Sequence, residues 1–206
     1  MDEERILFTS GAIQIEGLIG LTVGDRGVVI THPHSLYGGS MHNNVVESLV
    51  RVYQRAGYST LRFNFRGVGS SQGKYDGGQG EQQDVRSALH HLSGKGKTVI
   101  DLAGYSFGAW VNAMMGSSGD TVERMIMVSP PVAFLEFPSL NLSPQLELVI
   151  AGSRDQIAPV DLIKTMLPAW NPKALLEVIE GADHFYGGYT GELERILTAY
   201  LKPEGN

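Results

Sequence analysis

Val99-Ile100-Asp101-Leu102-Ala103-Gly104-Tyr105-Ser106-Phe107-Gly108-Ala109-Trp110 governs how the rest of the chain must be arranged around it. The segment opens as a short, mostly apolar run, the mark of a buried strand. It passes through Gly104-Tyr105-Ser106-Phe107-Gly108 and continues as Ala-Trp-Val-Asn-Ala-Met-Met, which reads as a helix. Strand, G-x-S-x-G and helix in that order form the context of a nucleophile elbow, a tight turn that lifts a serine hydroxyl off the carboxyl edge of a sheet. Glycine suits positions 104 and 108 because the helix there comes too close to its neighbours for side chains. The backbone N–H of Phe107 opens the helix and would face a negative oxygen formed beside Ser106. G-x-S-x-G is short enough to arise by chance in a chain with 26 glycines, so its flanks and its partners elsewhere carry the reading.

On the N-terminal side, residues 5–10 and 12–22 read as two strands joined at Gly11, with the apolar/polar alternation of a half-exposed antiparallel hairpin. Val28-Val29-Ile30 is a buried strand ending in the loop His32-Pro33-His34-Ser35-Leu36-Tyr37-Gly38-Gly39. A helix follows over residues 43–56, with Val45, Val46, Leu49, Val50 and Tyr53 on one face. Residues 58–64 form the next strand and run into a glycine-rich loop to Gly80, with Asp84 near the start of the following helix. Beyond the central segment, strands are expected over 122–129, 146–151 and 174–179, and helices over 162–167 and 192–201. Strands and helices therefore alternate from Val28 onward, which predicts a mostly parallel α/β sheet with helices on both faces and the hairpin at one edge. All 206 residues fit one domain.

Ligands of such sheets bind beyond the carboxyl ends of the strands, so the residues following each strand are the candidates. A serine hydroxyl needs a base to take its proton, and an imidazole base needs a carboxylate to fix its tautomer. Ser106, Asp155 and His184 each follow an expected strand, in the chain order Ser, Asp, His. The alternatives are poorer: His90 and His91 fall late in a helix, His42 starts one, and Asp101 lies inside the central strand. Asp183 adjoins His184 awkwardly, and Asp161 sits at or in the next helix.

Taken together, His32-Pro33-His34 with Gly38-Gly39, Leu61 to Ser71, Gly104 to Gly108, Gly152-Ser153-Arg154-Asp155 and Gly181 to Phe185 resemble the α/β-hydrolase superfamily. Within it they resemble the small, lidless, dienelactone-hydrolase-like bacterial subgroup, from Val28 almost to the end of the chain. The resemblance implies an α/β-hydrolase fold without a cap domain. It implies a serine hydrolase, esterase- or thioesterase-like, with Ser106, Asp155 and His184 as catalytic triad. It also implies an oxyanion hole made by the N–H groups of Phe107 and His34. Pro33 stands where the commoner pattern has glycine and has no N–H to give, which leaves Ser35 as a substitute donor. The side chains of His32 and His34 are expected to shape this loop rather than act as acid or base.

Other features bound the reading. The net charge is −6 with no basic run, which argues against a nucleic-acid partner. There is no cysteine, hence no disulfide framework or thiolate metal site. His32 and His34 lack a third ligand at matching spacing, so no metal and no organic cofactor is expected. Gly67 to Gly73 misses the dinucleotide-binding register, and no G-K-[ST] is present. The acidic N-terminus does not resemble a signal peptide, and no apolar run is long enough to span a bilayer, which makes the cytoplasm the expected location. A small acyl substrate is the expected partner, and a homodimer stays open. Residues 130–145 are too few for a cap but apolar, and Phe134 and Phe137 are the first candidates to wall an open acyl pocket. Against the catalytic reading stands a hydrolase-fold module that only binds.

Overall fold

The computed structural model describes residues 2–115, 122–137 and 145–202. Eight strands form one sheet: β1 (Glu4–Ser10), β2 (Ile13–Gly20), β3 (Arg26–Thr31), β4 (Ser59–Phe63), β5 (Val99–Tyr105), β6 (Val122–Val128), β7 (Leu146–Gly152) and β8 (Leu175–Ile179). Their spatial order is β1-β2-β4-β3-β5-β6-β7-β8. β1 and β2 pair antiparallel, and β2 pairs antiparallel with β4. From β4 through β8 every pair is parallel. The helices are α1 (Asn44–Arg55), α2 (Gln79–Ser93), α3 (Phe107–Met114), α4 (Val160–Trp170) and α5 (Thr190–Leu201).

Successive strand residues point to opposite faces, and the core divides accordingly. Val28 and Ile30 pack with Val45, Leu49 and Tyr53 of α1 and Leu193 and Leu197 of α5. Val29 points the other way, into a cluster with Val85 and Leu89 of α2, Val111 of α3 and Ile163 of α4. Two apolar layers thus sandwich the sheet, as parallel strands buried on both faces require.

Most element boundaries shift by a few residues from the sequence reading, and two of the shifts bear on candidate residues. α2 begins at Gln79, so Asp84 lies inside it rather than near its start. The early start is possible because Gly78 takes φ 95° as N-cap and the Glu81 carboxylate accepts from the Gly78 N–H at 2.8 Å. His42 precedes the cap of α1 rather than starting the helix, since Asn43 is the cap and accepts from Val45 N–H at 2.9 Å.

The chain leaves β3 toward β4 on one side and returns to β5 on the other. The loops after β3 and β5 therefore diverge, and a crevice opens at the carboxyl edge between them, where open α/β sheets bind ligands. Only residues 129–145 connect β6 to β7, too few to form a cap domain. Pro138, Leu140, Leu142 and Pro144 of this connection lie outside the described residues. No helix among the described residues is long and apolar enough to cross a membrane.

Candidate active site

Ser106 sits between β5 and α3 with φ 54° and ψ −119°. A non-glycine residue pays conformational strain there, and the surroundings hold it in place. Its N–H donates to Val128 O at 2.9 Å, and its carbonyl accepts from Trp110 N–H at 3.1 Å. A Cβ on Gly104 would lie 2.5 Å from Asn112 Nδ2 and 2.7 Å from Ala109 N. A Cβ on Gly108 would lie 2.6 Å from Thr31 Oγ1 and 2.8 Å from His32 O. Both glycines are therefore required by close backbone approach.

Asp155 follows β7 and His184 follows β8. The two loops touch closely: a Cβ on Gly152 would lie 2.3 Å from Ala182 O, and Arg154 N–H donates to Ala182 O at 2.9 Å. Ser153 Oγ ties them again, accepting from Gly181 N–H at 2.8 Å and donating to Glu180 at 3.0 Å. This lacing brings the two side chains together. His184 Nδ1 lies 2.8 Å from Asp155 Oδ2, and His184 Nε2 lies 2.9 Å from Ser106 Oγ. All three residues are buried. Asp155 Oδ1 also accepts from the N–H groups of Ile157 at 2.9 Å and Ala158 at 2.7 Å. Burial pushes the Asp155 carboxyl up, but its bonds from His184, the Ala158 N–H and the Ser129 hydroxyl outweigh that and hold it below the ordinary carboxylate value.

Three further residues support this arrangement, and two of them, Ser129 and Tyr186, lie outside the motifs read from the sequence. Tyr105 donates to the carbonyl of His184 at 2.6 Å. Ser129 and Tyr186 share a hydroxyl–hydroxyl bond of 2.7 Å. Among the described residues, the non-glycine positions with positive φ are Ser106, Ser129 and Tyr186, all in loops at this edge. Such a residue at the end of an apolar strand, as Ser129 is, looks in sequence like any strand-terminating serine.

The loop after β3 lies against the elbow. His34 and Phe107 rings are 4.6 Å apart between centroids, and Tyr75 approaches His34 at 5.0 Å. No hydrogen bond among the described residues engages the N–H of Phe107 or of His34. Ser35 Oγ is buried and also lacks a partner. Phe134 projects outward, 73% exposed, whereas Phe137 is buried with its ring 4.9 Å from Trp170. Both line an open groove of about 400 Å³ with Val132, Leu135 and Met166, and none of Ser106, Asp155 and His184 lines it. The segment is nevertheless tied to the elbow helix, because Trp110 Nε1 donates to Glu136 O at 2.9 Å and its ring packs 5.5 Å from Phe107.

Comparison with known proteins agrees with the fold. A protein of Rickettsia prowazekii described as uncharacterized protein RP471 is 32% identical over 209 residues, spanning 96% of this chain and 88% of the relative. The structure of an alpha-beta serine hydrolase homologue from Coxiella burnetii superposes with a TM-score of 0.88 at 36% identity, over 98% of this chain and 99% of that one. XC6422 from Xanthomonas campestris, described as an a/b serine hydrolase without lid, gives 0.87 at 28% identity over 97% and 93% of the two chains. No protein-family model matches the chain.

Proposed function

Because this chain belongs to the α/β-hydrolase family, in its small lidless group, we propose that it is a serine hydrolase cleaving an ester, thioester or related acyl bond. The observation that carries the reading is the unbroken line Ser106 Oγ to His184 to Asp155, each link within hydrogen-bond reach.

In this reading the Asp155 carboxylate accepts from His184 Nδ1–H, which leaves the Nε2 lone pair facing the serine. His184 takes the Ser106 proton as Oγ bonds to the substrate carbonyl carbon. The carbonyl electron pair moves onto oxygen, and the N–H groups of Phe107 and His34 hold that oxyanion. The electron pair then returns, the bond to the leaving group breaks, and His184 delivers its proton to the departing oxygen or sulfur. Water repeats the cycle on the acyl-enzyme and releases the acid. These residues perform every step with no cofactor. With no cap domain over the edge, the site suits short or medium acyl groups. Phe134 and Phe137 are proposed for the acyl wall on the strength of their segment's tie to the elbow helix through Trp110, although the groove they line holds none of the three residues.

Ser106→Ala tests the reading. It should lose at least about 10³-fold in kcat on p-nitrophenyl esters and lose fluorophosphonate labelling while keeping its melting temperature. A folded Ser106→Ala protein with substantial activity would sink it, and a wild-type protein inert to both reagents would favour a module that only binds.

A further inference from the structure

Pro33 and His34 share one peptide plane. In a trans peptide the C=O and N–H point in opposite directions, so whatever fixes the Pro33 carbonyl also fixes the His34 N–H. Two groups grip that carbonyl. His32 Nδ1 lies 2.6 Å from it. Gly39 presses on it closely enough that a Cβ there would lie 2.0 Å from Pro33 O. Gly39 N–H also donates to His34 O at 3.0 Å, which pins the next peptide as well.

The His32 ring is itself held. It is fully buried, and its Nε2 lies 2.9 Å from the N–H of Phe65, just past the end of β4. A backbone N–H can only donate and a carbonyl can only accept, so Nε2 accepts and Nδ1 carries the hydrogen. The two partners together dictate one neutral tautomer. Burial holds the ring neutral, the Pro33 carbonyl opposes that weakly, and the pKa falls to about 4.

We infer that His32 is a positioning residue for the oxyanion hole: relayed from Phe65 N–H, its Nδ1–H holds the Pro33 carbonyl so that the His34 N–H faces Ser106. The bond to the carbonyl also polarises the shared peptide and makes its N–H a better donor. His32 touches no reacting atom, and the inference rests on the His34 role proposed above. It accounts for a histidine two residues before the donor and for a glycine at 39, where φ is not positive and chain conformation alone does not demand one.

Two substitutions split the ring's two bonds. In His32→Asn the side-chain amide N–H falls near the Nδ1 position and keeps the bond to Pro33 O while losing the one from Phe65. In His32→Gln the amide reaches the Nε2 position and keeps Phe65 while losing Pro33. If the ring merely glued the loop to β4, the two would lose equal activity. The expected result is a kcat on p-nitrophenyl acetate within about 10-fold of the parent for His32→Asn and about 10²-fold lower for His32→Gln, with KM similar and melting temperatures lowered alike. Gly39→Ala should resemble His32→Gln. Nitrogen-15 NMR of the parent should find His32 in the Nδ1–H tautomer, a readout independent of activity. Equal kcat in the two variants, or an Nε2–H tautomer, overturns this inference alone. A parent that hydrolyses nothing and takes up no fluorophosphonate, or a Ser106→Ala protein as active as the parent, removes the proposed function and this inference with it.

Discussion

Asp155→Asn is the substitution whose outcome the local geometry constrains most tightly. The Asp155 carboxylate meets His184 Nδ1 through Oδ2 at 2.8 Å and the N–H groups of Ile157 and Ala158 through Oδ1 at 2.9 and 2.7 Å, while the Ser129 hydroxyl beside it can either donate or accept. An asparagine has one oxygen to offer. If it keeps the two backbone donors, its NH₂ points at His184 Nδ1, which must then accept, and the ring proton moves to Nε2. That proton faces Ser106 Oγ, and the ring cannot serve as base. The opposite amide orientation restores the useful tautomer but sets NH₂ against two buried N–H groups. Each lost bond costs about 1–3 kcal/mol, so the useful state lies about 2–6 kcal/mol uphill. At about 1.36 kcal/mol per decade, kcat should fall between about 30-fold and about 3 × 10⁴-fold. The fold should survive, because the Oδ1 bonds persist in the inactive orientation. One acid-range effect should also vanish. Asp155 ionises more readily in the fold than in the unfolded chain, so its stabilisation is present above the ordinary carboxylate pKa and is lost as pH falls through the lower folded value. Steady-state kinetics on p-nitrophenyl acetate and calorimetry check both parts. A folded Asp155→Asn protein within tenfold of the parent would refute the tautomer argument.

Other outcomes follow from the same packing. His32 binds its proton at about 4 in the fold against 6.5 for the free group, so the unfolded chain takes it up first as pH drops. Stability from this residue is intact above pH 6.5 and falls by about 3 kcal/mol as pH declines to 4; urea titrations should find that slope reduced in His32→Asn, and an identical slope would count against it. Gly108→Ala places a Cβ 2.6 Å from Thr31 Oγ1 and should cost about 1–3 kcal/mol with a drop in kcat, whereas an unchanged melting temperature would mean the loop yields freely. Phe134→Ala removes a ring that is 73% exposed, so stability should move by less than about 0.5 kcal/mol while preference among p-nitrophenyl esters of increasing chain length shifts. Unaltered chain-length preference would take Phe134 out of the acyl wall.

The parallel sheet was legible because Val28-Val29-Ile30 and residues 125–128 and 148–151 are short apolar runs, separated by loops with glycine or proline. Ser106, Asp155 and His184 could be picked out because each follows such a run. What pairs across long distances could not be read. Nothing local tells that β2 joins β4 rather than β3, since that choice depends on distant residues meeting as Gly17 meets Phe63. Ser129 and Tyr186 escaped for the same reason: their shared bond spans 57 residues, and their positive φ contradicts the intrinsic preference of both types. The His32-Pro33-His34 loop was visible as a motif, but the tautomer of His32 depends on the Phe65 N–H, which only the fold brings near. Phe137 looked as available as Phe134 because burial against Trp170 leaves no trace in the adjacent sequence.

The sheet distributes the site unequally between its middle and its margin. β5, which carries Ser106, is hydrogen-bonded on both sides, by β3 and β6. β8, which leads to His184, pairs with β7 alone and exposes Leu175 and Val178. Proteins open in parts, and a marginal strand with its trailing helix is a natural cooperative unit for opening at less than the global free energy. Release of β8 and α5 would withdraw His184 while leaving Ser106 seated on an intact sheet. The proposed activity would then be lost before the protein melts, and its working temperature range would be set by the strength of one edge rather than by the stability of the whole.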